Sequence, residues 1–286
     1  MKKENCAILI PLLCVYLALL AVFTFTDLPI ALQIYHPGTA YAKFFELFGT
    51  IPMPIMGVFA SVSFFLFTLQ DDKALWKKIV LCAVIVLNFM YFFFIGAFSI
   101  RDAVPALFIP SLVLYAAWGV ASYFIAQKHM ASEDRAVFRA VVMVLFIVCA
   151  VGVIGEDIIK TIFGRIRFYR LTDPIAEFRP WYVIQSHEVN SSFPSGHAAK
   201  AAMPFTVFVL PYLTDKLHSK GSRILVLSLC TVFMVCTWLA RMMDGMHYAS
   251  DVLTGSVIVL AAFLLCKDRY LDQAKAVPVT ERASNK

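Results

Sequence analysis

The sequence predicts an all-α fold: a polytopic transmembrane helical bundle of about eight spans, with both termini cytoplasmic. Three observations carry this. The 286 residues are 60% hydrophobic and only 15% charged, against about 45–50% and about 25% in soluble domains, and the mean hydropathy is +0.77. The apolar residues gather in runs of about 17–25, the length a helix needs to cross hydrocarbon. Lysine and arginine concentrate in alternate connections between those runs, as the positive-inside rule requires. Such a composition excludes a soluble globular domain, a disordered chain and a collagen-like repeat. The net charge of +6 reads as topology, with no nucleic-acid partner.

Residues 7–26 form the first apolar run. The charged MKKEN before it is signal-like, but the run is long for a signal peptide and no small-x-small site follows, so a retained span is expected. Residues 27–51 are too polar to span and too apolar for a free loop. They are expected in the interface as a short amphipathic helix, with Tyr35, Tyr41, Phe44 and Phe45 at headgroup level. Further spans are expected near 54–70, 79–98, 104–126, 137–159, 197–213, 223–240 and 248–266, helical because hydrocarbon offers backbone groups no outside partner. Residues 267–286 read as a solvated polar tail. The seven cysteines lie in or beside apolar runs without a CxxC pair and read as small hydrophobes, neither disulfides nor metal ligands.

With a cytoplasmic amino terminus, sixteen of the 25 lysines and arginines fall on the cytoplasmic side. Seven of the other nine are Lys160, Arg165, Arg167, Arg170, Arg179, Lys200 and Arg241, leaving Lys43 and Arg101 as incidental charges. Cations placed against the topological preference need a reason. Snorkelling or loop solubility explains one or two; an anionic ligand at the non-cytoplasmic surface explains the cluster.

Three motifs concentrate that chemistry. Lys160 and Arg167 stand seven apart in KTIFGRIR, so a helix continuing through them would present both cations on one face. In FPSGH, residues 193–197, Pro194 suits a first helical turn, Ser195 offers a hydroxyl and Gly196 permits close backbone approach, while a helix start favours an anion; the alternative is an ordinary cap beside a surface histidine. In RMMDGMHYASD, Arg241 is followed by His247 and then Asp251 at i+4. That spacing lets the carboxylate reach an imidazole N–H and leave the other nitrogen free as a nucleophile, although a helix-capping pair has the same spacing. Arg165, Arg170 and Arg179 are expected either to touch a second phosphate or headgroup or to solvate the loop. Lys200 is expected to snorkel and Asp244 to occupy a turn. The adjacent His187 and Glu188 rank below the three motifs, and His36, His129 and His218 have no partner spacing.

In this order, Lys-x6-Arg, PSGH and Arg-x5-His-x3-Asp resemble the type 2 phosphatidic acid phosphatase superfamily, which includes membrane lipid phosphatases, glucose-6-phosphatase and soluble vanadium haloperoxidases. The motifs cover residues 160–251. The resemblance implies that His247 attacks phosphorus to form a phosphohistidine, that Asp251 orients it, and that His197 protonates the leaving oxygen and then activates water. Lys160, Arg167, Ser195, Gly196 and Arg241 would cradle the phosphate, with no metal and no other cofactor. It further implies an integral membrane hydrolase acting on a lipid phosphate or diphosphate (undecaprenyl diphosphate, phosphatidylglycerol phosphate or phosphatidic acid) at the non-cytoplasmic face. The expected division of the chain is spans one to four over 1–136, a catalytic core over 137–266, and the tail. Two positions depart from the family pattern: Phe168 stands where proline usually follows the arginine, and Ala240 where serine usually precedes Arg241. Each removes a constraint or a hydroxyl, but no transferring group. Two alternatives remain at this stage, a lipid phosphotransferase using the same residues and a non-catalytic binding or transport protein.

Overall fold

The computed structural model describes residues 3–185, 192–214, 217–272 and 274. Among them every regular element is helical, and seven helical stretches are long and apolar enough to cross a membrane. The helices are α1 (Lys3–Ile34), α2 (Ala40–Phe48), α3 (Pro52–Gln70), α4 (Leu75–Ala103), α5 (Phe108–Met130), α6 (Arg135–Phe163), the single turn α7 (Pro174–Glu177), α8 (Gly196–Ala202), α9 (Lys220–Met243) and α10 (Ala249–Cys266). Large apolar side chains such as Leu17, Phe25, Leu87, Leu114 and Phe124 lie open on helix surfaces, as they do where the surrounding solvent is lipid.

Three expectations change. The expected span over 197–213 is the seven-residue α8 followed by 3-10 helix from Met203 to Tyr212, because Pro204 and Pro211 cannot donate the N–H that an α-helix needs. Among the described residues, seven helical stretches, where about eight are expected, are long and apolar enough to span. The first helix runs on to Ile34, so only Ala40–Phe48 of the expected interfacial segment is a separate helix. Asp27 does not stop α1, since its carboxylate is buried and ion-paired. The expected tail begins with a π-helical turn, Lys267–Asp272, whose Leu271 is fully buried; its residues 275–286 lie outside the described residues.

The chain divides into two compact units. The first comprises Met1–Thr50, Ala150–Phe205 and Leu225–Ala262. Its core joins α1 to α10 through Leu20, Leu253 and Val257, with Tyr16, Phe23, Trp181 and Trp238 around them. A second cluster sets Ala31 of α1 against Phe168 and Tyr248. The second unit comprises Ile51–Cys149, Thr206–Ile224 and Phe263–Lys286. There α3, α4 and α5 pack together, and Phe67, Ala126, Met130, Phe138 and Val142 form a core. All three motifs belong to the first unit.

Candidate active site

α6 delivers the first motif from its carboxyl end. Gly164 takes φ +56° and returns its N–H to the Lys160 carbonyl at 3.0 Å, the left-handed cap that glycine adopts without steric cost. Lys160 and Arg167 therefore do not share one helical face, contrary to expectation. Lys160 lies in the last turn of α6, and Arg167 is extended, just before the 3-10 turn Phe168–Arg170. Lys160 pairs with Glu156 one turn earlier. A Cβ on Gly196 would run into the Glu156 carboxylate, so the first motif closes directly on the second.

Ser195 caps α8: its Oγ accepts the Ala198 N–H at 3.3 Å. Pro194, expected in the first turn, instead precedes the cap, because Ser195 is extended and the helix starts at Gly196. The Ser195 N–H donates to the Asp251 carbonyl at 3.0 Å. This crossing depends on Gly255, where a Cβ would strike the Ser195 carbonyl, a backbone atom that cannot swing aside. Gly255→Ala is expected to displace the FPSGH segment and lower kcat about 100-fold, the usual order for a misplacement of about 1 Å. Gly221→Ala, with open space around its α-carbon, is the control; equal activity in the two variants would refute the close-packing role.

The third motif brackets the turn between α9 and α10. Arg241 is 3% exposed near the end of α9, and His247 is 3% exposed ahead of α10. The imidazole Nδ1 lies 2.7 Å from the Ser192 carbonyl, whereas Asp251 Oδ2 is 3.9 Å away. The expected carboxylate–imidazole hydrogen bond is thus replaced by a backbone one. A carbonyl can only accept, so Nδ1 carries the proton and the Nε2 lone pair is free. Asp251 instead accepts the Ser192 hydroxyl at 2.5 Å and the Tyr248 N–H at 2.8 Å through Oδ2, closing the first turn of α10.

Arg165, expected at a headgroup or in solvent, is 1% exposed. It donates to Asp251 Oδ1 at 2.6 Å and to Asp27 Oδ2 at 3.0 Å, with Tyr248 under its guanidinium at 3.9 Å. Sequence reasoning missed Asp27, Glu156, Glu46 and Ser192. A lone carboxylate at the end of an apolar run was the available signal for Asp27. Arg179 is taken up by the Ala176 and Phe178 carbonyls. His187 and Glu188 lie outside the described residues.

The electrostatics bring the motifs together. Burial pushes His247 down to about 4 against the pull of Asp251, and Arg167 and Arg241 add to the push. His197 is held well below its ordinary value, first by burial and then by Arg241, Lys200, His247 and Lys160. Lys200, expected to snorkel, is thereby placed among the site's charges. The buried Nε of Arg167 and the buried Nε and Nη1 of Arg241 make no hydrogen bond within the protein. Glu46 of α2 approaches Arg241 Nη1 to 2.9 Å as an ion pair, outside hydrogen-bonding geometry. Unsatisfied guanidinium N–H groups in a buried setting favour an anionic acceptor. Among the described residues, no three His, Cys, Asp or Glu side chains gather as a metal site.

The two histidines thus sit among converging cationic side chains, an arrangement whose charge suits an anion. Residues 136–273 match the family model of the PAP2 superfamily. It is similar to phosphatidylglycerophosphatase B of Bacillus subtilis (strain 168), 33% identical over 103 residues, which are 34% of this chain and 48% of that protein. It is also similar to a Drosophila melanogaster protein provisionally named a phosphatidate phosphatase, 38% identical over 78 residues, 25% of this chain and 19% of that one. The chain thus spans about half the first relative and a fifth of the second. No solved structure matches it.

Proposed function

We propose that the chain is an integral membrane lipid phosphatase, acting at the non-cytoplasmic face with both termini in the cytoplasm. The observation that carries this reading is the set of buried guanidinium nitrogens on Arg167 and Arg241 that make no hydrogen bond within the protein, although Glu46 and Asp244 pair with Arg241 by charge, beside a histidine whose Nδ1 is tied and whose Nε2 is free. The relatives' names make phosphatidylglycerol phosphate and phosphatidic acid the first substrates to test.

In the first step the His247 Nε2 lone pair forms the P–N bond as the bond from phosphorus to the leaving oxygen breaks, and protonated His197 gives that oxygen its proton. In the second, water gives a proton to His197 and its oxygen bonds to phosphorus; the P–N bond breaks, returning the lone pair to Nε2 and releasing inorganic phosphate. Lys160, Arg167 and Arg241, with the Ser195 hydroxyl and the Gly196 N–H, neutralise the phosphoryl oxygens, so the step needs positioning and cationic charge and no metal.

The two histidines need opposite protonation states. Protonating His247 removes the nucleophile, which sets an acid limb near its value of about 4. Losing the His197 proton sets the alkaline limb. Bound phosphate adds negative charge beside His197 and raises its pKa, so the alkaline limb of kcat is expected at higher pH than that of kcat/KM. The test is phosphate release from purified protein across both lipids, undecaprenyl diphosphate and glucose 6-phosphate, with vanadate and a chelator as additions. Release from lipids, blocked by vanadate and indifferent to chelation, is expected. A kcat/KM flat between about pH 5 and 8, the range in which histidine titrates, or loss on chelation restored by a divalent ion, would overturn the mechanism. Preference for glucose 6-phosphate would overturn the lipid assignment.

A further inference from the structure

We infer that Asp27, on α1 and outside the segment matched to the family, is a positioning residue for the nucleophile, acting through Arg165. Both supports of His247 run to Arg165. The Ser192 carbonyl that holds Nδ1 belongs to a residue whose own N–H donates to the Arg165 carbonyl at 2.7 Å. Asp251, the carboxylate nearest the imidazole, is gripped by Arg165 Nη1 at 2.6 Å. Arg165 is in turn set by Asp27, whose Oδ2 accepts Nη2 at 3.0 Å and the Ser250 hydroxyl at 2.5 Å, while Oδ1 accepts the Ser250 N–H at 2.9 Å. Asp27, Arg165 and Asp251 are all 1% exposed or less, so water supplies little screening.

The charge count gives Asp27 its effect. Two carboxylates share one guanidinium, leaving a net negative charge behind His247, which becomes a cation when its Nε2 bonds to phosphorus. Neutralising Asp27 leaves Arg165 and Asp251 balanced and removes that charge. The groups facing His247 itself are Asp251, the Ser192 carbonyl, Arg167, Arg241 and His197. Three of these are cationic or can become so, which makes the charge behind Asp251 matter more.

The test is Asp27→Asn, nearly isosteric, beside Asp27→Glu, which keeps the charge. The kinetic arm rests on the phosphatase reading; the second arm, titration of His247 by nitrogen-15 NMR of histidine-labelled protein in micelles, does not. For Asp27→Asn, kcat is expected to fall about 10- to 100-fold, the usual effect of an outer partner, with KM changed less. The acid limb and the His247 titration are both expected to move to lower pH, and Asp27→Glu to return them toward wild type. A folded Asp27→Asn protein with unchanged kcat and His247 titration overturns the inference, as does loss of activity that only follows loss of folded protein with the titration unmoved. If wild-type protein releases no phosphate, the phosphatase reading falls and the His247 titration alone decides the role of Asp27.

Discussion

His247→Ala is expected to lower phosphate release by at least about 10³-fold, the scale seen when a group that forms the covalent intermediate is removed. The cradle survives the substitution: Arg167 and Arg241 are held by other contacts, and substrate binding is expected to persist. The loss should therefore appear in kcat rather than KM. Labelled substrate separates the nucleophile from its partner. In His197→Ala the leaving group departs slowly and water is activated poorly, so acid-labile phosphohistidine is expected to build up on quenching. In His247→Ala none is expected. Labelled phosphoenzyme in His247→Ala would place the nucleophile elsewhere, and equal, small losses in both variants would remove the two-step scheme.

Arg165→Met is expected to cost about 3–5 kcal/mol of stability, the range for removing one partner of a buried charge cluster. It leaves Asp27 and Asp251 buried with no cation between them, and it frees the Ser250 hydroxyl and the carbonyl of Arg179 from their donor. The exposed Arg101, paired with Asp102 at 2.7 Å, provides the comparison: its replacement by methionine is expected to cost about 1 kcal/mol or less. Unfolding in a denaturing detergent series measures both. Arg165→Met combined with Asp27→Asn should recover part of the loss, since one unpaired charge fewer remains. Equal costs for Arg165→Met and Arg101→Met would show that the buried cluster is not held by charge.

Much of the site was legible because its chemistry is local in the chain. A run of apolar residues long enough for hydrocarbon marks a span wherever it packs, and α4, α5, α6, α9 and α10 fall where those runs do. Lys160, Arg167 and Arg241 stand out as cations outside the expected cytoplasmic set and His197 and His247 by their motifs, and each bears electrostatically on one or other histidine. Where sequence reasoning failed, it assumed that a local pattern continues. A helix drawn through Lys160 and Arg167 ignored the freedom of Gly164, and an unbroken α-helix over 197–213 ignored two prolines.

The sequence alone determined the helical class and the apolar runs long enough to span a membrane, because composition and hydrophobic run length are properties of a segment by itself. Only the tertiary structure decided what holds the His247 imidazole. The acceptor at Nδ1 is a backbone carbonyl of Ser192, an atom every residue carries and no sequence pattern marks. Arg165 and Asp27 meet across 138 positions, and a charge pair of that separation is determined by how α1 lies against the segment that follows α6, not by the spacing of either residue from its neighbours.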